Sequence, residues 1–474
     1  METKNPRKLI GFRGFFCNFA AQKDIIEIEI MKKLILLTGM MLAVGTAFAQ
    51  KQWSLQDCID YALANNITLK KSQLQKESAT EDLKGAKAAL LPSVSASTNQ
   101  SLGYQPWKDT GLMTVTNGVV NSNIKKTSYN GNYSVNGQWT VWNGGRNTKT
   151  VTLDQLAEQQ ADLQMQETAN SIQERIAQIF SQILYLDENV KVSEQMLETS
   201  KKNEERGQEM LNVGKMSKAD VAQLTSQRAN DEYSIVEAQS QLLNYKLQLK
   251  QLLEITDEQD FDVKIPEISE AQILSEIPAL QAVYEQALLS RPELERSRLA
   301  IKSSGVSLGI AKAGWMPSVS LTGGVTTSTN SLSDNGWGSQ MKTNVNTNVG
   351  VGVSVPIYDA RSTKTAVNKA KIQQLQAQLD MQDQQKTLYS DIQQYWLNAT
   401  TNQMKYKASM SSVESAQMSY DLLSEQFRLG LKNIVELLAG KDNLLQAQQN
   451  QLQSKYQTIY NKQMLEFYQT GEIK

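Results

Sequence analysis

The sequence predicts an exported α+β membrane protein in which long α-helical coiled-coil hairpins carry four transmembrane β-strands per chain. Three observations predict it: an internal duplication, strands that alternate apolar with uncharged polar residues, and two helical runs too long for an ordinary globular domain. At an offset of 225, residues 55–95 match residues 280–320 at 16 of 41 positions without a gap. The best-kept stretch, Ala86–Ser95, returns as Ala311–Ser320. In each copy an Ala- and Lys-bearing helix stops ahead of a proline, Pro92 or Pro317, and an alternating strand begins.

Taken in order, residues 1–30 fit no targeting pattern and read as a mis-called leader. Residues 31–49 carry Lys32 and Lys33, an apolar run from Leu34 and an Ala47-Phe48-Ala49 end, the pattern of a secretory signal cut before Gln50. The mature chain is thereby exported. Without residues 1–49 it holds 41 Lys/Arg and 45 Asp/Glu, a balance that argues against nucleic-acid partners. Cys17 leaves with the leader, so Cys58 is the lone mature cysteine and no intrachain disulfide forms. Gln50 offers no thiol for a lipid anchor.

The first repeat spans 50–254. Ile59, Leu63, Leu69, Leu74 and Leu83 are spaced for a helix, interrupted near Asn65-Asn66 where the second copy has Arg291-Pro292. A β-hairpin follows over about 93–141; in Tyr129–Val141 the odd positions are aromatic, valine or glycine and the even ones Asn, Ser, Gln or Thr. Gly103–Ser128, between its strands, reads as a surface loop. After the turn Trp142-Asn143-Gly144-Gly145-Arg146, residues 147–211 contain no proline and one glycine, about 100 Å of helix at 1.5 Å per residue. A tip at 212–217 ends that helix at Gly214 and caps the return helix with Ser217. On the return, Val221, Leu224, Arg228, Asp231 and Ile235 step by three and four as a coiled-coil seam does.

Residues 255–278 break the pattern with acids, Pro266 and Pro278, and read as an equatorial segment and linker. The second repeat, 279–474, runs through a helix, a hairpin of about 318–356 with a loop at Ser328–Lys342, and a long helix. A tip at 429–433 built on Gly430 and Asn433 leads to a return helix with Leu438, Leu445, Leu452 and Ile459 seven apart.

An uncharged strand of about 10 residues, apolar on one side and polar on the other, is the unit of an outer-membrane barrel, and four strands cannot close one. Chains must pool strands, two giving eight and three giving twelve. The duplicated Leu-Pro-Ser-Val-type junction, Asn66, Arg291-Pro292-Glu293-Leu294, Trp142–Arg146, Val355-Pro356-Ile357-Tyr358-Asp359 and the two glycine-centred tips together resemble the TolC family of outer-membrane efflux channels, over nearly all of Trp53–Gly471. The resemblance implies a homotrimer with a twelve-stranded barrel and a helical tunnel through the periplasm. Its implied partners are a periplasmic adaptor, an inner-membrane pump of RND or ABC type, and outer-membrane lipid. The implied function is a passive conduit in tripartite efflux or type I secretion; the alternative is a non-conducting, exported trimeric coiled-coil spacer.

No histidine occurs in the chain, and Cys58 lies on an apolar helix face, so metal and triad chemistry lack material; no enzyme, cofactor or metal is expected. Asp220 and Glu436 each lie six residues after a tip glycine and are placed in the second turn of a return helix. The resemblance makes them periplasmic-gate candidates, with Lys432 and Arg428 able to tie neighbouring coiled coils. Here Glu replaces Asp in the second copy and Ala439 stands where relatives carry a further acid. The competing reading is a solvated helix face or a favourable helix-dipole contact. Gly214, Lys215, Met216, Ser217, Gly430, Leu431, Lys432 and Asn433 are the candidate adaptor-docking tips.

Overall fold

The computed structural model describes residues 52–107, 112–116, 119–123, 125–256 and 261–473. The leader and signal segments lie outside the described residues. Strand β1 (Gln52–Trp53) comes first, then α1 (Leu55–Asn65). Asn66 ends α1 and starts α2 (Ile67–Ala88): its side-chain oxygen accepts from the N–H groups of Thr68 at 2.9 Å and Leu69 at 3.3 Å. Its amide also donates to the carbonyl of Leu252 at 3.0 Å, fixing this break against a helix 186 residues away. Next come β2 (Ser93–Tyr104), β3 (Leu112–Thr116), β4 (Val119–Asn123) and β5 (Thr127–Trp142).

The expected Gly103–Ser128 loop thus holds an antiparallel pair, β3 with β4. Its Val and Thr content favours strand, a signal hidden by the surrounding Gly and Asn.

Two helices of unequal length follow, α3 (Arg146–Asn212) and α4 (Lys218–Leu252). After them the chain forms β6 (Asp262–Val263), α5 (Glu270–Leu274), α6 (Leu280–Ser290) and α7 (Pro292–Lys312). A 3₁₀ turn at Ala313–Trp315 leads into β7 (Ser318–Asn330), α8 (Trp337–Thr343) and β8 (Asn346–Ser354). The chain closes with α9 (Ser362–Arg428) and α10 (Ile434–Thr470). Helix α8 is a second correction, because Ser328–Lys342 reads as loop; the buried Gln340 side chain ties it to the backbone of Asn330 and Asn335. Separately, β1 and β6 make a small parallel pair, Gln52 opposite Asp262 and Trp53 opposite Val263.

Strands β2, β5, β7 and β8 form one antiparallel sheet in that order. The register sets Val94 against Gly137, Trp139 against Leu321, and Leu321 against Val351, so one face carries the valines, Leu321 and Trp139. The opposite face carries Ser97, Asn99, Asn132, Ser134, Thr322 and Asn348, with Ser97 and Ser134 hydroxyls 2.7 Å apart. Neither face is charged. Strands β2 and β8 are the sheet's edges.

Helices α3 and α9 are 67 residues each, about 100 Å at 1.5 Å per residue. Isolated helices of weak amphipathicity are held by packing rather than propensity. Here the packing is a four-helix core of Met196, Leu224, Tyr420, Phe427, Ile434 and Leu437, drawn from α3, α4, α9 and α10. At the other end of the bundle Arg291 is buried before α7. Its guanidinium lies 4.4 Å from the Tyr468 ring and 4.8 Å from that of Phe467, and Nη2 reaches Glu174 at 3.4 Å and Glu293 at 3.3 Å. No helix among the described residues is long and apolar enough to cross a membrane.

Candidate functional site at the paired helical tips

Each long helix stops in the same way. Gly214 sits at φ 72° and Gly430 at φ 76°, the left-handed region that favours glycine. The N–H of Lys215 bonds the carbonyl of Met210 at 2.8 Å and that of Gly214 bonds Leu211 at 2.9 Å; Leu431 to Gln426 and Gly430 to Phe427, both 2.9 Å, repeat the arrangement. These are Schellman closures, and they satisfy carbonyls the helix end would otherwise leave free.

Three residues further on, each return helix opens with a reciprocal cap. Ser217 Oγ accepts from the Asp220 N–H at 3.1 Å, while the Asp220 carboxylate accepts from the Ser217 N–H at 3.3 Å and its hydroxyl at 2.8 Å. Asn433 accepts from the Glu436 N–H at 3.0 Å, and Glu436 accepts from the Asn433 N–H at 3.4 Å. Both acids therefore stand in the first turn, at the third helical position, and not in the second turn. The caps lie three residues beyond the glycines, so a count of six from each glycine ends inside the first turn.

Lys432 donates to Glu436 at 2.7 Å within its own helix start, and Arg428 pairs with Glu425 one turn back. Within the chain, both basic candidates thus meet acids of their own tip. The Lys432 ammonium, with the Asn433 N–H, holds the Glu436 carboxyl below the usual carboxylate range; Arg428 does the same for Glu425. Between these polar groups the tips expose Val213, Leu429, Leu431 and Val435, while Met216 turns inward against the four-helix core. The tips combine rigid backbone turns, satisfied charges and small apolar knobs. That equips them to bind another surface, and it leaves no activated nucleophile. No group of His, Cys, Asp and Glu able to hold a metal ion occurs among the described residues.

Above the tips lies a cluster the sequence reading did not assemble. Lys441 of α10 is fully buried and pairs with Asp231 of α4, whose carboxylate also accepts from the Ser200 hydroxyl of α3 at 2.5 Å. Asn203 of α3 donates to the Tyr420 hydroxyl of α9 at 3.2 Å, and burial pushes that phenol up. Both links join one helical hairpin to the other. Asp231 was legible as a charge in an apolar seam, and Lys441 falls between the seam leucines Leu438 and Leu445; their partnership across 210 residues was not.

The family model described as "Outer membrane efflux protein" matches residues 58–254 and 283–468. The outer membrane efflux protein BepC of Brucella suis is 22% identical over 431 residues, covering 91% of this chain and 88% of its own. The outer membrane protein TolC of Vibrio cholerae is 22% identical over 435 residues, covering 90% and 93%. In structure, CusC superposes with a TM-score of 0.75 at 15% identity, covering 90% of this chain and 95% of its own. The Campylobacter jejuni CmeC outer membrane channel gives 0.73 at 20%, covering 88% and 85%.

Proposed function

Because this chain belongs to the outer membrane efflux protein family, we propose that three copies, each built of two tandem structural repeats, pool their sheets into a twelve-stranded barrel continued by a helical tunnel. The carrying observation is the sheet itself: one face apolar, one face uncharged and polar, and an edge strand on either side. Edges cannot stand bare in hydrocarbon, because every unpaired backbone group there costs several kcal/mol. A β8 meeting the β2 of the next chain removes both edges and turns the Asn/Ser/Thr face to a water-filled lumen.

The protein is an outer-membrane channel component, a passive conduit rather than an enzyme. We assign the tips at 212–217 and 429–433 to docking of a periplasmic adaptor, which couples the tunnel to an inner-membrane pump. The same conduit would serve a type I exporter. Asp220 and Glu436, three copies of each, are the proposed acidic constriction, each acid also capping its own helix.

Crosslinking of the protein in native outer membranes, with conductance in planar bilayers, tests this reading. The expected result is a detergent-stable trimer whose cation preference falls in the Asp220→Asn/Glu436→Asn double variant. Dimers only, or a protein fractionating with the soluble periplasm, would overturn the barrel. Unchanged selectivity would return the two acids to a capping role alone.

A further inference from the structure

We propose that α8 is an interfacial foot that seats the protein on the anionic headgroups of the outer leaflet; this rests on the reading that the apolar face of the sheet meets lipid. The face on which α8 lies is fixed by register. Tyr133 opposes Thr327, in step with Val135 opposite Val325 and Trp139 opposite Leu321, so all belong to the apolar face. Helix α8 packs there. The Trp337 indole N–H donates to the Tyr133 hydroxyl at 3.3 Å with the rings edge-on at 6.2 Å, and Thr327 Oγ1 donates to the Met341 carbonyl at 2.8 Å.

The helix is clamped rather than draped. Buried Gln340 accepts from the Asn330 N–H at 2.7 Å and donates to the carbonyls of Asn335 at 2.6 Å and Asn330 at 3.1 Å. Asn344 adds a bond to the Ser328 carbonyl at 2.7 Å. Since β5 and β7 are the inner strands of the sheet, the foot stands away from the edges where chains join.

Height and charge identify the occupant. Along the apolar face, Trp142 opposes Val319 beyond a bulge at the helical end of β5, and Tyr133 lies nine residues away. At about 3.3 Å per residue and a tilt near 40°, that is roughly 23 Å along the membrane normal, close to the roughly 25 Å apolar band between aromatic girdles. Tyr133 and Trp337 therefore sit where hydrocarbon gives way to headgroups. At that level Thr98, Thr327 and Thr347 take the places that valines hold lower on the face, and Tyr129 opposite Leu102 follows further out. The described residues at the strand ends and connections here, 104–107, 125–128 and 329–345, hold Lys125, Lys126 and Lys342 against a single acid, Asp334. Half-exposed Trp337 on a helix that also carries Lys342, with Lys125 bonded to the Ser331 carbonyl of the same connection, makes a surface for a phosphate-bearing lipid.

The test uses the full chain in vesicles, labelled with a fluorophore at Ser339→Cys on α8 or, as control, at Asn132→Cys on the polar face. Cys58 is buried and stays in place. Vesicles contain phosphatidylcholine or phosphatidylglycerol with a nitroxide on the headgroup. We expect the position-339 label to be quenched by headgroup nitroxide and the position-132 label to respond only to aqueous iodide. Quenching by the phosphatidylglycerol probe should exceed that by the phosphatidylcholine probe about fivefold, the worth of one lysine at an anionic surface. Lys125→Gln/Lys126→Gln/Lys342→Gln should erase that excess. Equal quenching by the two lipids overturns the anionic preference, and a position-339 label responding only to iodide overturns the foot. Conductance of the same vesicles separates the levels. A conducting protein with no lipid contact at 339 sinks this inference alone, whereas failure to insert sinks the barrel with it.

Discussion

At the residue scale, the tip acids are defined by what they already hold. Glu436 in the folded protein titrates below its unfolded value, about 4.3 for a free glutamate, because Lys432 and the Asn433 N–H favour its charge. A depressed carboxylate contributes stability above the unfolded pKa and loses it as pH falls through the folded one. The protection of amides at the start of α10, after correction for the intrinsic pH dependence of exchange, should therefore fall below about pH 4 in the parent and hold steady there in Glu436→Gln. Equal profiles in the two proteins would deny the cap any electrostatic part. Asp231 and Lys441 follow a different rule, since both are buried. Asp231→Ala should cost about 3–5 kcal/mol by stranding a buried ammonium, whereas Asp231→Leu with Lys441→Met should come close to the parent, as chemical denaturation would show. Sequence made each of these charges visible and their meeting invisible, because coiled-coil spacing says which residues face inward and nothing about which helix lies opposite.

At the element scale, the long helices, the alternating strands and both glycine tips are readable because each rests on local chemistry: periodicity, the lack of proline, and a glycine three residues before a capping Ser or Asn. Elements β3, β4 and α8 escaped because short segments carry too few residues for periodicity; α8 in addition depends on a glutamine bonded to backbone five and ten residues before it. Close approach is equally unreadable. A Cβ on Gly207 would come within 2.4 Å of Leu224 Cδ1, and one on Gly440 within 2.6 Å of Leu423 Cδ1. Gly207→Val should accordingly pry α3 from α4 and lower thermal stability by about 1–3 kcal/mol, the usual cost of overpacking, while Gly85→Val, in a helix with open space around it, should be neutral or stabilise by a few tenths of a kcal/mol. At the tips, Gly430→Pro loses both the left-handed conformation and the N–H bonded to Phe427. The prediction is lost adaptor pull-down with the trimer intact; full pull-down would move docking elsewhere.

On the scale of the whole molecule, the two faces of the sheet make opposite demands on the same substitution. Val349→Lys, at the middle of the apolar face, should destabilise the membrane-inserted protein by about 2–4 kcal/mol and lower its yield, while Asn348→Lys, on the polar face, should leave yield unchanged and shift ion selectivity towards anions. Inverted results would mean that the faces are assigned the wrong way round. The edges at β2 and β8 carry a further consequence, for time rather than geometry. On the proposed barrel a lone chain has no way to retire either edge, so its sheet would enter the bilayer only in company. Insertion should then depend on concentration more steeply than first order, with a lag at low expression during which the newly exported subunit offers two adhesive borders to any passing strand. Periplasmic holding of the monomer, and dilution as a means of stalling it, follow from four strands that are too few to make a circle.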